Sequence, residues 1–315
     1  MKFGHQDQQS TAGIGLDIGG TKLAGVVIDP SGSVVARVRR PTPLGDGEAV
    51  IKACIQTSEE LLAVARSGGL AVGPIAIAMP GTIDKMGGTI VDSPVLSMHN
   101  VPMVEITHRA LGHPVTILHD VKAAAFGELV AGAGIGQADI AYLNLGTGVS
   151  MAFVFGWKVH QGSHGTAGEI GHVVAVPDGL LCNCGRRGCL ETVASGPAIA
   201  RAAGQPDGRL ETVAEAARNG DERALTAMAD AAEHLGRVLA DFVMVMDVGM
   251  LMVGGGVSAV GDPLLVPLQA SLDRHLADVV EQVTVVSAAL GGDSGVIGAA
   301  HWSRLVHNGT ASHAW

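Results

Sequence analysis

Two apolar runs joined by a glycine turn occur twice in this chain. Ile14-Gly15-Leu16-Asp17-Ile18-Gly19-Gly20-Thr21-Lys22 leads into Leu23-Ala24-Gly25-Val26-Val27-Ile28, and Ala141-Tyr142-Leu143-Asn144-Leu145-Gly146-Thr147-Gly148-Val149 echoes it. Short β-type runs on either side of such a turn read as hairpins. Two copies of one phosphate-sized turn predict a duplicated α/β domain with a cleft between the copies. Glycine occupies 45 of 315 positions, about twice its usual ~7% share, and follows no three-residue period. The excess therefore reads as tight turns and not as a collagen repeat.

Hydrophobic spacing between the turns predicts alternating strands and helices. Val34 to Val38 and Ile75 to Met79 read as strands, the latter ending at Pro80-Gly81. Glu48 to Ala65 carries Val50, Ile51, Cys54, Ile55, Leu61 and Leu62 at helical spacing. A strand from Val115 to Leu118 runs into Asp120, which opens an alanine-rich helix reaching about Val130. Glu222 to Met244 reads as a long helix with Leu225, Met228, Ala232, Leu235, Leu239 and Phe242 on one face. A strand from Met250 to Val253 ends in Gly254-Gly255-Gly256-Val257-Ser258, and a last strand (Val283 to Ser287) and helix (Ser294 to Leu305) follow. Strands alternating with helices predict the α/β class.

Composition excludes several function classes. Apolar residues at 47% and charged residues at 16% support a sizeable core and argue against global disorder. A net charge of -10 and few aromatic platforms argue against a nucleic-acid partner. The most apolar stretch, Phe242 to Val257, contains Asp247 and is too short to span a membrane. Met1 to Thr11 is polar and has no apolar signal core, so the expectation is a cytoplasmic chain with a frayed tail.

Three groups of residues carry chemistry. Asp17-Ile18-Gly19-Gly20-Thr21-Lys22 sets a carboxylate beside glycines that let backbone approach a phosphate, and Asp17 can hold the hydration shell of Mg²⁺. An ordinary hairpin turn is the alternative, and the further turns at Gly146-Thr147-Gly148 and Gly254-Gly255-Gly256 favour phosphate. No Gly-Lys-Ser/Thr loop occurs. His172, Cys182, Cys184 and Cys189 match a closed tetrahedral zinc site, against three reduced structural thiols. Asp120, where strand gives way to helix, is placed equally well for a catalytic carboxylate or a helix N-cap. Lys122, on the first turn of that helix, reads as a solvated side chain, with a ligand contact as the other reading.

Together these residues resemble the ROK family of bacterial glucokinases, other sugar kinases and sugar-responsive repressors. Four blocks carry the resemblance: Asp17 to Lys22, Gly168-Glu169-Ile170-Gly171-His172, Cys182-Asn183-Cys184-Gly185-Arg186-Arg187-Gly188-Cys189-Leu190-Glu191, and Gly254 to Ser258. It implies an actin-like ATPase fold, two ribonuclease H-like domains flanking a cleft. The expected domains are residues 13–118, completed by a C-terminal helix at about 296–315, and residues 119–295 with the zinc loop. It further implies ATP-dependent phosphoryl transfer to a sugar or cyclitol, structural zinc, and a homodimer. Asp120 becomes the general base, with Glu169, His172, Glu191, His119 and Gly81 around the sugar. Asp17, Gly19, Gly20, Thr21, Lys22, Gly146, Thr147 and Gly148 hold phosphates, and Gly254, Gly255 and Gly256 approach the adenosine. Family repressors carry a DNA-binding helix-turn-helix ahead of the first phosphate motif, so the short stretch before Asp17 and the acidic charge argue against a repressor; a catalytically weak sugar-binding pseudokinase is the other reading, although Asp17 and Asp120 both remain.

The sugar pocket departs from the family pattern. Where glucokinases of this type carry Asn-Asp-Ala-Asn, this chain has His119-Asp120-Val121-Lys122, and their Pro-Asn-Leu loop becomes Pro94-Val95-Leu96. The resemblance thus implies an acceptor that differs from glucose, such as an amino sugar, a deoxy sugar or a C7-cyclitol.

Overall fold

The computed structural model describes residues 11–84, 86–205, 209–256, 261–280 and 282–307. In chain order its elements begin with strands β1 (Ala12–Ile18), β2 (Lys22–Ile28) and β3 (Val34–Pro41), helix α1 (Gly47–Ser67) and strands β4 (Val72–Met79), β5 (Thr82–Ile83), β6 (Ile90–Ser93) and β7 (Met98–Val101). Helix α2 (Met103–Leu111), strand β8 (Val115–His119), helix α3 (Asp120–Ala131) and strands β9 (Ile140–Leu145), β10 (Val149–Phe155) and β11 (Lys158–Val159) follow. Then come α4 (Glu191–Ala194), α5 (Gly196–Ala202), α6 (Leu210–Arg218), α7 (Glu222–Met246), β12 (Met250–Gly254), α8 (Asp262–Leu276), β13 (Thr284–Ser287) and α9 (Ser294–His307). No helix among the described residues is long and apolar enough to cross a membrane.

The chain divides into two units: residues 1–135, 158–167 and 293–315 form the first, and 136–157 with 168–292 the second. In the first, the sheet order is β3-β2-β1-β4-β8. β1 pairs antiparallel with β2 through the first glycine turn and parallel with β4. Alternation along β1 sends its residues to opposite faces. Ile14, Leu16 and Ile18 join Val50, Cys54 and Leu61 of α1 in the core, while Gly13 and Gly15 lie against Val296, Ala300 and Ser303 of α9. Helix α1 starts where the Asp46 carboxylate accepts the Ala49 N–H at 3.1 Å, a side-chain cap for one of the orphan donors of its first turn. Strands β5, β6 and β7 form a separate small sheet, which the sequence reading did not anticipate.

The second unit repeats the plan. Strand β9 pairs antiparallel with β10 through the second glycine turn and parallel with β12, which pairs parallel with β13. The predicted duplication is thus a repeat of hydrogen-bonding pattern as well as of sequence. Helix α7 begins at Asp221, whose carboxylate accepts the Ala224 N–H at 2.8 Å. Its buried face carries Ala224, Met228, Leu235, Leu239 and Val243. Leu225, expected on that face, is 40% exposed instead, in the first turn of the helix, where the chain has only just entered it. Phe242 is half-buried and stacks on Phe153, with centroids 4.7 Å apart.

Helix α3 lies with the first unit, whereas a boundary at residues 118/119 places it in the second domain. The reason is its packing on α9. Phe126 meets Trp302 edge to face at 5.5 Å, Ser294 donates to the buried Glu128 carboxylate at 2.6 Å, and Gly127 and Gly298 bring the two backbones together. A Cβ on Gly298 would collide with the Ala123 carbonyl oxygen. We expect Gly298→Ala to destabilise the folded chain by roughly 1–3 kcal/mol, the usual cost of overpacking, read from the urea midpoint. An unchanged midpoint would mean that this contact relaxes freely.

Candidate active site

In the first unit, Asp17 stands at the end of β1, ahead of a turn closed by the Gly19 N–H donating to the Lys22 carbonyl at 2.9 Å. Thr42 braces the same turn from outside: its hydroxyl donates to the Gly19 carbonyl at 2.7 Å and its N–H to the Thr21 carbonyl at 3.1 Å. Thr42 carries no local signal of this role, because it acts through backbone brought near by the β2–β3 pairing. Gly20 faces Val95, which is 52% exposed. Burial pushes the Asp17 carboxyl up to about 7, helped by the charges of Asp120 and Asp293 and opposed by Lys22. Asp293 in turn pairs with Arg37 and Arg39 of β3.

Asp120 is the first residue of α3, and the N-cap position falls on His119, whose side chain makes no cap bond. The carboxylate is held from two sides. Its Oδ1 accepts the Val121 N–H at 2.8 Å and lies 3.0 Å from His119 Nδ1. Gly81 and His119 share the wall of a cavity of about 300 Å³ with Asp84, Lys122, Gln161 and Gly165. Lys122 is not solvated as expected: it is 3% exposed, and its Nζ donates to Gln161 Oε1 at 2.7 Å and to the Gly165 carbonyl at 2.6 Å. Sequence reasoning missed Asp84, Gln161 and Gly165, which lie in loops with no periodic signal. His164 is not among the residues that line the cavity.

In the second unit, the turn at Gly146-Thr147-Gly148 is closed by the Gly146 N–H on the Gly148 carbonyl at 3.0 Å, and the Gly196 N–H donates to the Gly146 carbonyl at 2.8 Å. Glu191, at the head of α4, accepts the Val149 N–H at 3.1 Å, just past that turn. Gly254 and Gly255 lie against Tyr142 and Leu145 at the end of β12. Val257 and Ser258, expected in the same motif, fall outside the described residues.

The four soft ligands converge in the second unit. The ligand atoms of His172, Cys182, Cys184 and Cys189 all lie within 4.8 Å of one another. His172 Nδ1 is 3.7 Å from Cys182 Sγ, and Cys184 Sγ is 3.6 Å from Cys189 Sγ. His172 Nε2 lies 4.0 Å from Glu169 Oε2. The loop returns on itself through the Cys182 N–H on the Arg186 carbonyl at 2.8 Å. At Gly188, φ is +74° and a side chain would strike the Val176 carbonyl, so this position needs glycine.

Asp17 makes the site's pH response testable. A carboxyl raised from 3.8 to about 7 keeps in the folded chain a proton that the unfolded chain loses at lower pH. Its contribution to stability is present below the ordinary value and is lost as pH rises through about 7. Asp17→Asn should therefore gain stability over the parent chain as the pH is raised from about 4 to about 8, read as the difference in urea midpoints. A difference that stays constant with pH would mean that Asp17 titrates as it does unfolded.

The comparisons agree with this geometry. The ROK family model matches residues 13–305. A glucokinase from Streptomyces coelicolor is 34% identical over 313 residues, covering 92% of this chain and 97% of that one. An N-acetylmannosamine kinase from Yersinia pseudotuberculosis is 33% identical over 304 residues, covering 93% and 98%. The crystal structure of a ROK family glucokinase from Streptomyces griseus, in complex with glucose and AMPPNP, matches with a TM-score of 0.80 at 34% identity, covering 93% of this chain and 99% of that one. The twin glycine-turn hairpins, each with a parallel strand beside it, and the His/Cys loop accord with that match: the chain belongs to the ROK family and has its actin-like ATPase fold.

Proposed function

We propose that this chain is an ATP-dependent kinase that transfers the γ-phosphate to a hydroxyl of a hexose-like sugar. The observation that carries the reading is Asp120, fixed at the head of α3 by the Val121 N–H and beside His119. In this reading Asp120 takes the proton from the acceptor hydroxyl as its oxygen attacks the γ-phosphorus and the bond to the β-phosphate oxygen breaks. That role needs a carboxylate aimed at one hydroxyl. His119 orients it. The turns after Asp17 and Asn144 offer backbone N–H groups to phosphates. Asp17 would hold the hydration shell of Mg²⁺ bound with the nucleotide, and that ion would supply neutralisation of the charge developing on the phosphates.

His172 and the three cysteines fit structural zinc. Ligands about 2.3 Å (sulfur) and 2.0 Å (nitrogen) from a tetrahedral ion lie about 3.5–3.8 Å apart, and the two close pairs here are at 3.7 and 3.6 Å. His172 Nδ1 faces the thiols and Nε2 lies 4.0 Å from Glu169 Oε2, so a zinc bound through Nδ1 would leave Nε2 to carry the proton toward a sugar hydroxyl. Glu169, His172 and Glu191 then serve as hydroxyl ligands. Curated relatives carry the names glucokinase and N-acetylmannosamine kinase, so membership leaves the acceptor open. The cavity wall formed by His119 and Lys122 favours a modified sugar or a C7-cyclitol over glucose.

Three experiments test this reading. Asp120→Asn should keep its fold and nucleotide binding while ADP release with the best acceptor falls by ~100-fold or more; activity within a few-fold of the parent removes Asp120 from the mechanism. The panel that identifies this acceptor should contain glucose, N-acetylmannosamine, amino sugars and C7-cyclitols, and glucose as the preferred acceptor would overturn the modified-sugar reading. Metal analysis should find one zinc per chain, lost in Cys184→Ala together with thermal stability, because binding and folding are coupled. Protein purified without chelator and free of zinc would refute the metal site.

A further inference from the structure

We propose that Lys122 is a positioning residue that sets acceptor selection by tethering the 161–165 loop across the cavity that His119 and Gly81 line. This rests on the sugar-kinase reading and goes beyond it, since it locates selectivity in a side chain that touches a loop. Three observations support it. First, Lys122 lies two residues after Asp120 on the first turn of α3, so its anchor point moves with the proposed base. Second, the residue is 3% exposed and its ammonium donates to both ends of the loop, to Gln161 Oε1 at 2.7 Å and the Gly165 carbonyl at 2.6 Å. Third, Lys122, Gln161 and Gly165 are themselves part of the cavity wall.

The physical argument concerns what else could hold that loop. Gly162 and Gly165 both have positive φ, and residues 162–166 contribute Gly-Ser-His-Gly-Thr, with small or exposed side chains. Such a segment has little apolar burial to fix it, and ordering it costs backbone entropy. Charge-assisted hydrogen bonds are about twice as strong as neutral ones, so two of them from one buried ammonium outweigh any other bond the loop's backbone makes alone. The Gly165 N–H on the Gly162 carbonyl, for comparison, spans 3.5 Å. Removing the ammonium frees the wall, and an acceptor must then order the loop again to bind. The loss falls on acceptor affinity and leaves the glycine turn at Asp17 to Lys22 untouched.

The test compares the parent chain with Lys122→Met, which keeps the stem and removes the charge, with Gln161→Ala, and with the double variant. The acceptor is the best one found in the panel above. KM for the acceptor should rise ~10-fold in Gln161→Ala, the change expected for losing one charge-assisted hydrogen bond, and further in Lys122→Met, which loses both, with KM for ATP within about twofold in each. The double variant should be no worse than Lys122→Met, because that change alone already breaks the bond to Gln161. Amide hydrogen exchange in the peptide covering residues 158–167 should quicken in Lys122→Met. Should burial make that variant fold poorly, Gln161→Ala, changed in the loop and away from the core, decides alone by the same two readouts. An unchanged acceptor KM, a parallel rise in KM for ATP, additive effects, or unaltered exchange overturns the proposal while leaving the kinase reading in place. A parent chain that phosphorylates no member of the panel overturns the kinase reading, and this inference with it.

Discussion

Helix α9 is packed backbone to backbone, and much of the first unit follows from that contact. It lies against Gly13 and Gly15 of β1 on one side and against Gly127 of α3 through Gly298 on the other. No side chain intervenes, so the sheet and both helices sit closer than ordinary residues allow. The first consequence is electrostatic. Gly295, in the first turn of α9, rests against the Asp17 carboxylate, and Asp293 just before the helix adds a second negative charge. The second is positional. Because α3 is held on α9 by Phe126, Gly127 and Glu128, its first residue, Asp120, stays where its charge reaches Asp17.

The result is a carboxyl held at a cost: burial, with the charges of Asp120 and Asp293, raises the Asp17 pKa to about 7, while Arg37 and Arg39 compensate Asp293. The second unit solves a different problem. Its His/Cys loop has little regular structure, a 3-10 turn over Ile170–His172 and isolated bridges between Val174 and Cys189 and between Leu181 and Arg187. Glu169 and His172 are neighbours along that loop, so whatever fixes the four ligands also fixes the side chains proposed to meet the sugar.

Much of this was legible in the sequence, for local reasons. A glycine turn between β-type runs is a local signal, and both hairpins formed at the expected residues, with Gly19 and Gly146 in the turns. The helices opening at Asp120 and Glu222 and the strands at Ile75 and Met250 were likewise set by periodicity over a few residues. Spacing alone brought Cys182, Cys184 and Cys189 together, since a short loop cannot carry them far apart. What the sequence misjudged were properties of environment. Leu225 looked like a core residue by its apolar character and Lys122 like a surface residue by its charge; the first turn of α7 leaves the first exposed and the 161–165 loop covers the second.

The sequence by itself determined the α/β plan, the two phosphate-sized turns, the ligand set of the His/Cys loop and the family to which the chain belongs. Each depends on residues within a turn, a strand or a short loop, where the backbone's limited reach leaves few alternatives. Only the tertiary structure decided that the charges of Asp120 and Asp293 act on Asp17, that α3 belongs with α9, that Thr42 braces the first turn, and that Lys122 reaches Gln161 and Gly165. These are meetings of residues far apart in the chain. They depend on how closely helices and sheet approach, and that distance is set by packing that no local pattern encodes.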